Sequence, residues 1–284
     1  MFVNMKSMLC DAQNGGYAVG AFNIVNWLTA RAVIDEAIEL QSPVILQTSQ
    51  STVRQIGAKQ LVDIVRPMAE DSAVPVALHL DHGNDLELAK ECIDVGYTSV
   101  MIDMSKRPID ENIEICASIT EYAHAYNVTV EGEIGAIVGV EDHIAVDARE
   151  ASLANPQAAA RFVNESGIDF LAPAIGTAHG LYKGTPKIEF ELFSEIRRIV
   201  PVPMVIHGGT GLSDDTFRRL VSLGAAKINI STALKIAYCE TIRRYLEETE
   251  TGNPLKQDYA AYQAVREMAA RHIRLFGGDG RVKV

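Results

Sequence analysis

Three features of the 284-residue sequence predict an α/β fold, a TIM (β/α)8 barrel with an extra C-terminal helix. Eight short apolar runs recur, helix-spaced stretches separate them, and chemically active side chains collect where the runs end. A doubly wound open sheet is the competitor. It usually has fewer strands and a glycine-rich dinucleotide turn, and neither GxGxxG nor a Walker loop is present. Barrels commonly use about 250 residues in one unit. Residues 1–284 are therefore expected to form one catalytic domain, with a helical extension over about 250–284.

The runs are Tyr17–Ile24, Pro43–Ser49, Pro75–Asp81, Ser99–Met104, Val128–Gly135, Phe170–Gly176, Pro203–Gly209 and Ala226–Thr232. Several are apolar on both faces, as strands of a covered parallel sheet should be. Between the first two, Ala30, Val33, Ile34, Ala37 and Ile38 form one helical stripe, with Arg31, Asp35, Glu36 and Glu39 outside it. Phe217, Leu220, Val221 and Leu223 repeat the pattern before Gly224, a helix stop. The stretch from Ile134 to Asn155 is too long for a tight turn and reads as a mobile lid over the active-site face. After the eighth run come two helical stretches, Ala233–Glu248 and Tyr259–Phe276, one more than the barrel needs. The surplus helix is expected to pack on a neighbouring subunit.

With 48% hydrophobic residues the chain can build a sizeable core. Its net charge of −11 argues against a nucleic-acid surface, but a few local donors can still bind a small anion. Cys10, Cys92, Cys116 and Cys239 contain no CxxC pair and read as free thiols. The N-terminus lacks a signal peptide's pattern, and no apolar run approaches the ~20 residues of a membrane span. A soluble, cytoplasmic protein is expected.

The third run ends His79-Leu-Asp81-His82-Gly83, where a bland strand would end in turn residues. Asp81 reads as an acid/base and His82 as a metal ligand. The fifth run ends Glu131-Gly-Glu133, and the sixth leads into Gly176-Thr-Ala-His179-Gly180-Leu-Tyr-Lys183. The seventh ends His207-Gly208-Gly209-Thr210-Gly211, and the eighth Asn229-Ile230-Ser231-Thr232. His82, His179 and His207 thus lie at the same end of three strands, and three neutral imidazoles with one open position make a catalytic zinc site. His79 reads as a residue orienting a ligand or carboxylate, and His124 and His272, away from strand ends, as structural. Gly208, Gly209 and Gly211 let backbone N–H groups approach an anion, and Ser231 and Thr232 open a helix whose amides favour negative charge. With Lys183, they point to a phosphate after strands seven and eight.

These motifs, in order over nearly the whole chain, resemble the class II, zinc-dependent ketose-bisphosphate aldolases of the tagatose- and fructose-bisphosphate type. The resemblance implies a lyase that cleaves a ketose 1,6-bisphosphate, or another phosphorylated ketose, to dihydroxyacetone phosphate and an aldehyde. It makes His82, His179 and His207 the Zn2+ ligands and Asp81 the proton carrier. It places Gly180, Gly208, Gly209, Thr210, Asn229, Ile230, Ser231 and Thr232 around the dihydroxyacetone-phosphate half. Glu141, in the lid, falls where the family carries a proton-exchanging acid, Glu133 near the metal, and Arg271 where some members reach a second phosphate across a subunit interface. A homodimer or homotetramer and a monovalent cation, Na+ or K+, are implied as well. Asp103-Met104-Ser105 departs from the usual Asp-Gly-Ser, and Gln47-Thr48-Ser49-Gln50-Ser51 is unusual; both bear on the aldehyde side. Three rivals stand beside this reading: a Schiff-base aldolase through Lys227, a metal-dependent epimerase, and a non-catalytic partner subunit.

Overall fold

The barrel strands are β1 (Val19–Asn23), β2 (Val44–Ser49), β3 (Val76–Gly83), β4 (Ser99–Ile102), β5 (Thr129–Ile134), β6 (Phe170–Pro173), β7 (Met204–Ile206) and β8 (Ala225–Ile230). All pair in parallel with their neighbours, and β8 pairs with β1 from Val19↔Lys227 to Phe22↔Ile230, which closes the ring. The computed structural model describes residues 1–141, 144–146, 152–180, 186–250 and 252–283. All eight predicted strands are present. β6 and β7 stop at Pro173 and Ile206 rather than Gly176 and Gly209, and beyond them Gly176 (φ 91°) and Gly208 (φ 70°) turn the chain out of the extended region.

Alternation along the strands sorts the barrel interior into two zones. Val19, Ala21, Ile45, Ala77, Phe170, Ala172 and Val205 form an inner apolar cluster, plugged from the N-terminal end by Met5, Met8 and Leu9 of the helix Met5–Gly15. Two residues further along β1, β2 and β3 the same inward rows carry Asn23, Gln47 and His79, and two residues beyond Val205 comes His207; all four are buried. The bottom of the barrel is oily and the top is polar. The outward rows, among them Phe22, Leu46, Leu78, Val130 and Leu171, join the main core under the helices.

The two C-terminal helices run Thr232–Glu248 and Pro254–Leu275. The last one packs on its own chain, against the helix Trp27–Glu39: Tyr262 donates to Asp35 (2.6 Å) and Arg266 to Glu36 (2.9 Å). This corrects two expectations. Glu36, placed on the outer face from its spacing, is buried under Arg266, whereas Ile38, placed in the stripe, is exposed. The earlier helix, Thr232–Glu248, packs against this last one but is the more exposed of the two, with Leu234 its sole buried residue.

The stretch read as a lid contains a hairpin, Val138–Glu141 with Ile144–Val146. Its first strand pairs in parallel with the two-residue strand Ala178–His179, matching Gly139 to His179. At its base, Ala136 and Ser152 exchange backbone hydrogen bonds of 3.0 and 3.1 Å. Among the described residues, no helix is long and apolar enough to cross a membrane.

The strand glycine of Glu131-Gly-Glu133 is set by packing. A Cβ on Gly132 would lie 2.8 Å from the ring of Phe162, itself fully buried. Gly132→Ala is expected to cost about 1–3 kcal/mol by overpacking, read as a lower urea midpoint at unchanged slope. An unchanged midpoint would show that this contact is not tight.

Candidate active site

β3 delivers two adjacent functional groups to one place, which a regular strand cannot do because successive side chains point to opposite faces. His82 solves this with a left-handed backbone (φ 51°), and the β3–β4 register shifts between Leu80 and Gly83. Such a conformation is uncommon outside glycine. Gly83 completes the turn, since a Cβ there would lie 2.9 Å from the Met101 carbonyl.

His82, His179 and His207 converge: ring centroids lie 4.7 Å apart for His82–His179, 4.5 Å for His82–His207 and 6.1 Å for His179–His207. Each offers a nitrogen within 4.8 Å of the others, a spacing that suits one metal ion. His179 is not at a barrel-strand end as expected. It sits beyond β6 on the strand paired with the lid hairpin. Two ligand tautomers are set from behind. His82 Nδ1 faces Asp103 Oδ2 (2.9 Å), leaving Nε2 toward the cluster. His207 Nε2 faces Glu131 Oε1 (2.8 Å), leaving Nδ1, which is buried without a hydrogen bond and has Glu133 Oε2 at 3.3 Å. A buried nitrogen and carboxylate oxygen with no donor between them are what a cation would satisfy. His82, Asp103 and Glu133 form a second candidate metal-binding group.

Electrostatics separates the three imidazoles. Burial, then the neighbouring His82, lowers His179 to about 3. Burial, His82 and Lys227 push His207 well below its ordinary value. Both are neutral near pH 7, as metal ligands must be. Burial also pushes His82 down, but Asp81, Asp103 and Glu133 outweigh it and raise it to about 10. Burial followed by Asp103 holds the Glu133 carboxyl well above the usual range. For Asp81, burial raises the carboxyl but His82, His207, Lys227 and the Asn23 hydrogen bond outweigh it, so the group is held low and ionised.

Both oxygens of Asp81 are held by carboxamides: Asn23 Nδ2 donates to Oδ2 (2.8 Å) and Asn229 Nδ2 to Oδ1 (3.2 Å). Behind Asn229 stands Lys227, whose Nζ donates to Asn229 Oδ1 (2.8 Å) and ion-pairs with Glu131 Oε2 (2.9 Å). Behind Asn23 stands Gln47. His79 bonds Ser99 through Nδ1 (2.9 Å), with Glu131 3.8 Å from its other nitrogen, the supporting place expected for it. His124 bonds Asp169 and His272 the Met268 carbonyl, both away from the cluster.

The proposed phosphate residues flank the same mouth. Gly180 and Gly208 have positive φ, and a Cβ on Gly208 would strike the Ala178 backbone at 2.5 Å. Thr210 Oγ1 accepts from Ala233 N (3.1 Å) at the start of the helix Thr232–Glu248. A Cβ on Gly209 would meet the Asn229 carbonyl at 2.8 Å, so both loops lie in backbone contact. Ile230 is the last residue of β8, and Ser231 caps the helix with its hydroxyl buried and without a hydrogen bond. Arg271 is not gathered into this group; its guanidinium pairs with Asp214. Lys183 lies outside the described residues, as does the side chain of Glu141, the last residue of its lid strand.

Sequence reasoning left Asn23 and the support role of Gln47 unassigned, and gave Lys227 only as a rival nucleophile. The available signal was a polar residue inside an apolar run: Phe22-Asn23, Leu46-Gln47 and Ala226-Lys227.

Comparison with known proteins places this geometry. The family described as fructose-bisphosphate aldolase class-II matches residues 3–281. The YdjI aldolase of Escherichia coli K12 is 32% identical over 100% of both chains, with a TM-score of 0.89. A candidate fructose-1,6-biphosphate aldolase of Coccidioides immitis is 26% identical over 97% of this chain and 96% of that one, with a TM-score of 0.90. The Campylobacter jejuni fructose-bisphosphate aldolase, at 21% identity over 99% and 97%, shares the fold with a TM-score of 0.85. Matched along nearly its whole length, the chain belongs to the class-II fructose-bisphosphate aldolase family and is a carbon–carbon lyase acting on a phosphosugar.

Proposed function

We propose that the protein catalyses the reversible, zinc-dependent aldol cleavage of a ketose 1,6-bisphosphate, of fructose or tagatose configuration, to dihydroxyacetone phosphate and an aldehyde phosphate. The observation that carries this reading is an ionised carboxylate beside a three-imidazole cluster: Asp81 Oδ1 lies 3.9 Å from His82 Nε2. His82, His179 and His207 would hold the zinc, which would supply Lewis-acid stabilisation of negative charge on the ketone oxygen.

Asp81 takes the proton from the hydroxyl on the carbon that leaves as the aldehyde, and returns it in condensation. Two amide donors keep its carboxylate ionised and aimed. Backbone N–H groups around Gly180, Gly208 and Gly209, with Ser231 and Thr232 at the helix start, hold the phosphate of the dihydroxyacetone half. That remote grip fixes the reacting carbons against Asp81. Glu141 exchanges the proton on the carbon left on the dihydroxyacetone half, and Lys183 adds positive charge near the phosphate. The same reading makes the enzyme a homodimer or homotetramer.

A Schiff-base route through Lys227 is disfavoured. A lysine nucleophile must be neutral and open to the ketone, whereas Lys227 is wholly buried and committed to Glu131 and Asn229.

Purified protein is expected to release dihydroxyacetone phosphate from fructose or tagatose 1,6-bisphosphate. EDTA should abolish the release and added zinc restore it; the ratio of rates names the sugar. Release that survives exhaustive chelation contradicts the metal mechanism, and no release from either sugar contradicts the substrate. Asp81→Asn should retain zinc yet lose about 10²–10⁴ in kcat, the range of a positioned acid/base. A loss below tenfold would remove Asp81 from that role.

A further inference from the structure

We propose that Gln47 is a positioning residue that acts through Asn23 to hold the Asp81 carboxylate in its working orientation; the role of Asp81 itself rests on the function proposed above. Gln47 and Asn23 are register partners on β2 and β1, with Asp81 beyond them on β3. Gln47 Nε2 donates to Asn23 Oδ1 (2.6 Å), and Asn23 Nδ2 donates to Asp81 Oδ2 (2.8 Å).

An asparagine amide presents a donor at one end and an acceptor at the other. Asn23 can turn its donor toward Asp81 only if its oxygen faces another donor, and Gln47 provides that donor. On the other Asp81 oxygen, Lys227 fixes Asn229 in the same sense, since an ammonium has only donors to offer. The carboxylate is thus gripped by two amides of enforced polarity.

Stability does not account for Gln47. Its Oε1 is buried with no hydrogen-bond partner, a costly arrangement that an unbranched apolar side chain of similar length would avoid. A buried group that breaks a packing rule without a stabilising return is expected where function demands it.

Gln47→Met removes both the donor and the unsatisfied oxygen. Expected results are a kcat for cleavage lowered about 10- to 100-fold, as for a small misplacement of a reacting group, with KM within about twofold. Zinc content and unfolding midpoint should match the parent, and so should exchange of solvent hydrons into dihydroxyacetone phosphate alone, which does not use Asp81. Adding Gln47→Met to Asn23→Ala should cost nothing further, because the two act in series. With [15N]asparagine labelling, the Asn23 side-chain amide should lose its protection from solvent exchange in Gln47→Met. Unchanged kcat, multiplying losses in the double variant, or retained Asn23 protection each overturns the proposal. The amide readout needs no substrate, so it decides the role of Gln47 even if no ketose bisphosphate is cleaved and the proposed function fails.

Discussion

Four carboxylates gathered in one barrel mouth, the buried Asp81, Glu131 and Glu133 and the partly buried Asp103, set the terms for everything around them. Two unit charges about 4 Å apart repel by roughly 4 kcal/mol at an effective dielectric of about 20. The protein's own offset is Lys227 against Glu131. Among the described residues no lysine or arginine pairs with Glu133, and its carboxyl is driven upward by burial and by Asp103. On the proposed function, a divalent cation held by His82, His179 and His207 would offset the remaining negative charge, a reason for histidines and acids to share one end of the barrel.

The fold makes this concentration of charge possible by separating it from the hydrophobic work. Apolar residues low on β1, β2, β3 and β7 fill the barrel with help from the first helix, and the same rows turn polar one pleat higher. A mouth with this many buried polar groups contributes little stability, since buried ion pairs seldom repay their desolvation. The main core between strands and helices supports it. At His82 a left-handed residue turns what would be one functional group per face into two neighbours facing the same opening.

Much of this was legible in the sequence because parallel barrels end their strands at one face. Eight apolar runs gave the strands, and His82, His207 and Asp81 stood where the runs broke. His179 was legible as a member of the histidine cluster but not in its placement: it reaches the cluster from a two-residue strand paired with the lid hairpin, and such pairing leaves no local periodicity. Glu36 was misplaced for a related reason. Helical spacing assigns faces to one helix, but the partner that buries Glu36 is Arg266 on a helix more than two hundred residues away in the chain. The amide grip on Asp81 was hidden because Asn23 and Gln47 are ordinary polar residues until the closed ring makes them neighbours.

The central claim is that one zinc ion sits on three imidazoles. X-ray absorption at the zinc edge, on protein loaded with one equivalent and desalted, tests it most directly. The account predicts retained zinc with three imidazole nitrogens in its first shell, falling to two in His207→Ala. A first shell dominated by carboxylate oxygens, or zinc lost on desalting, would contradict it.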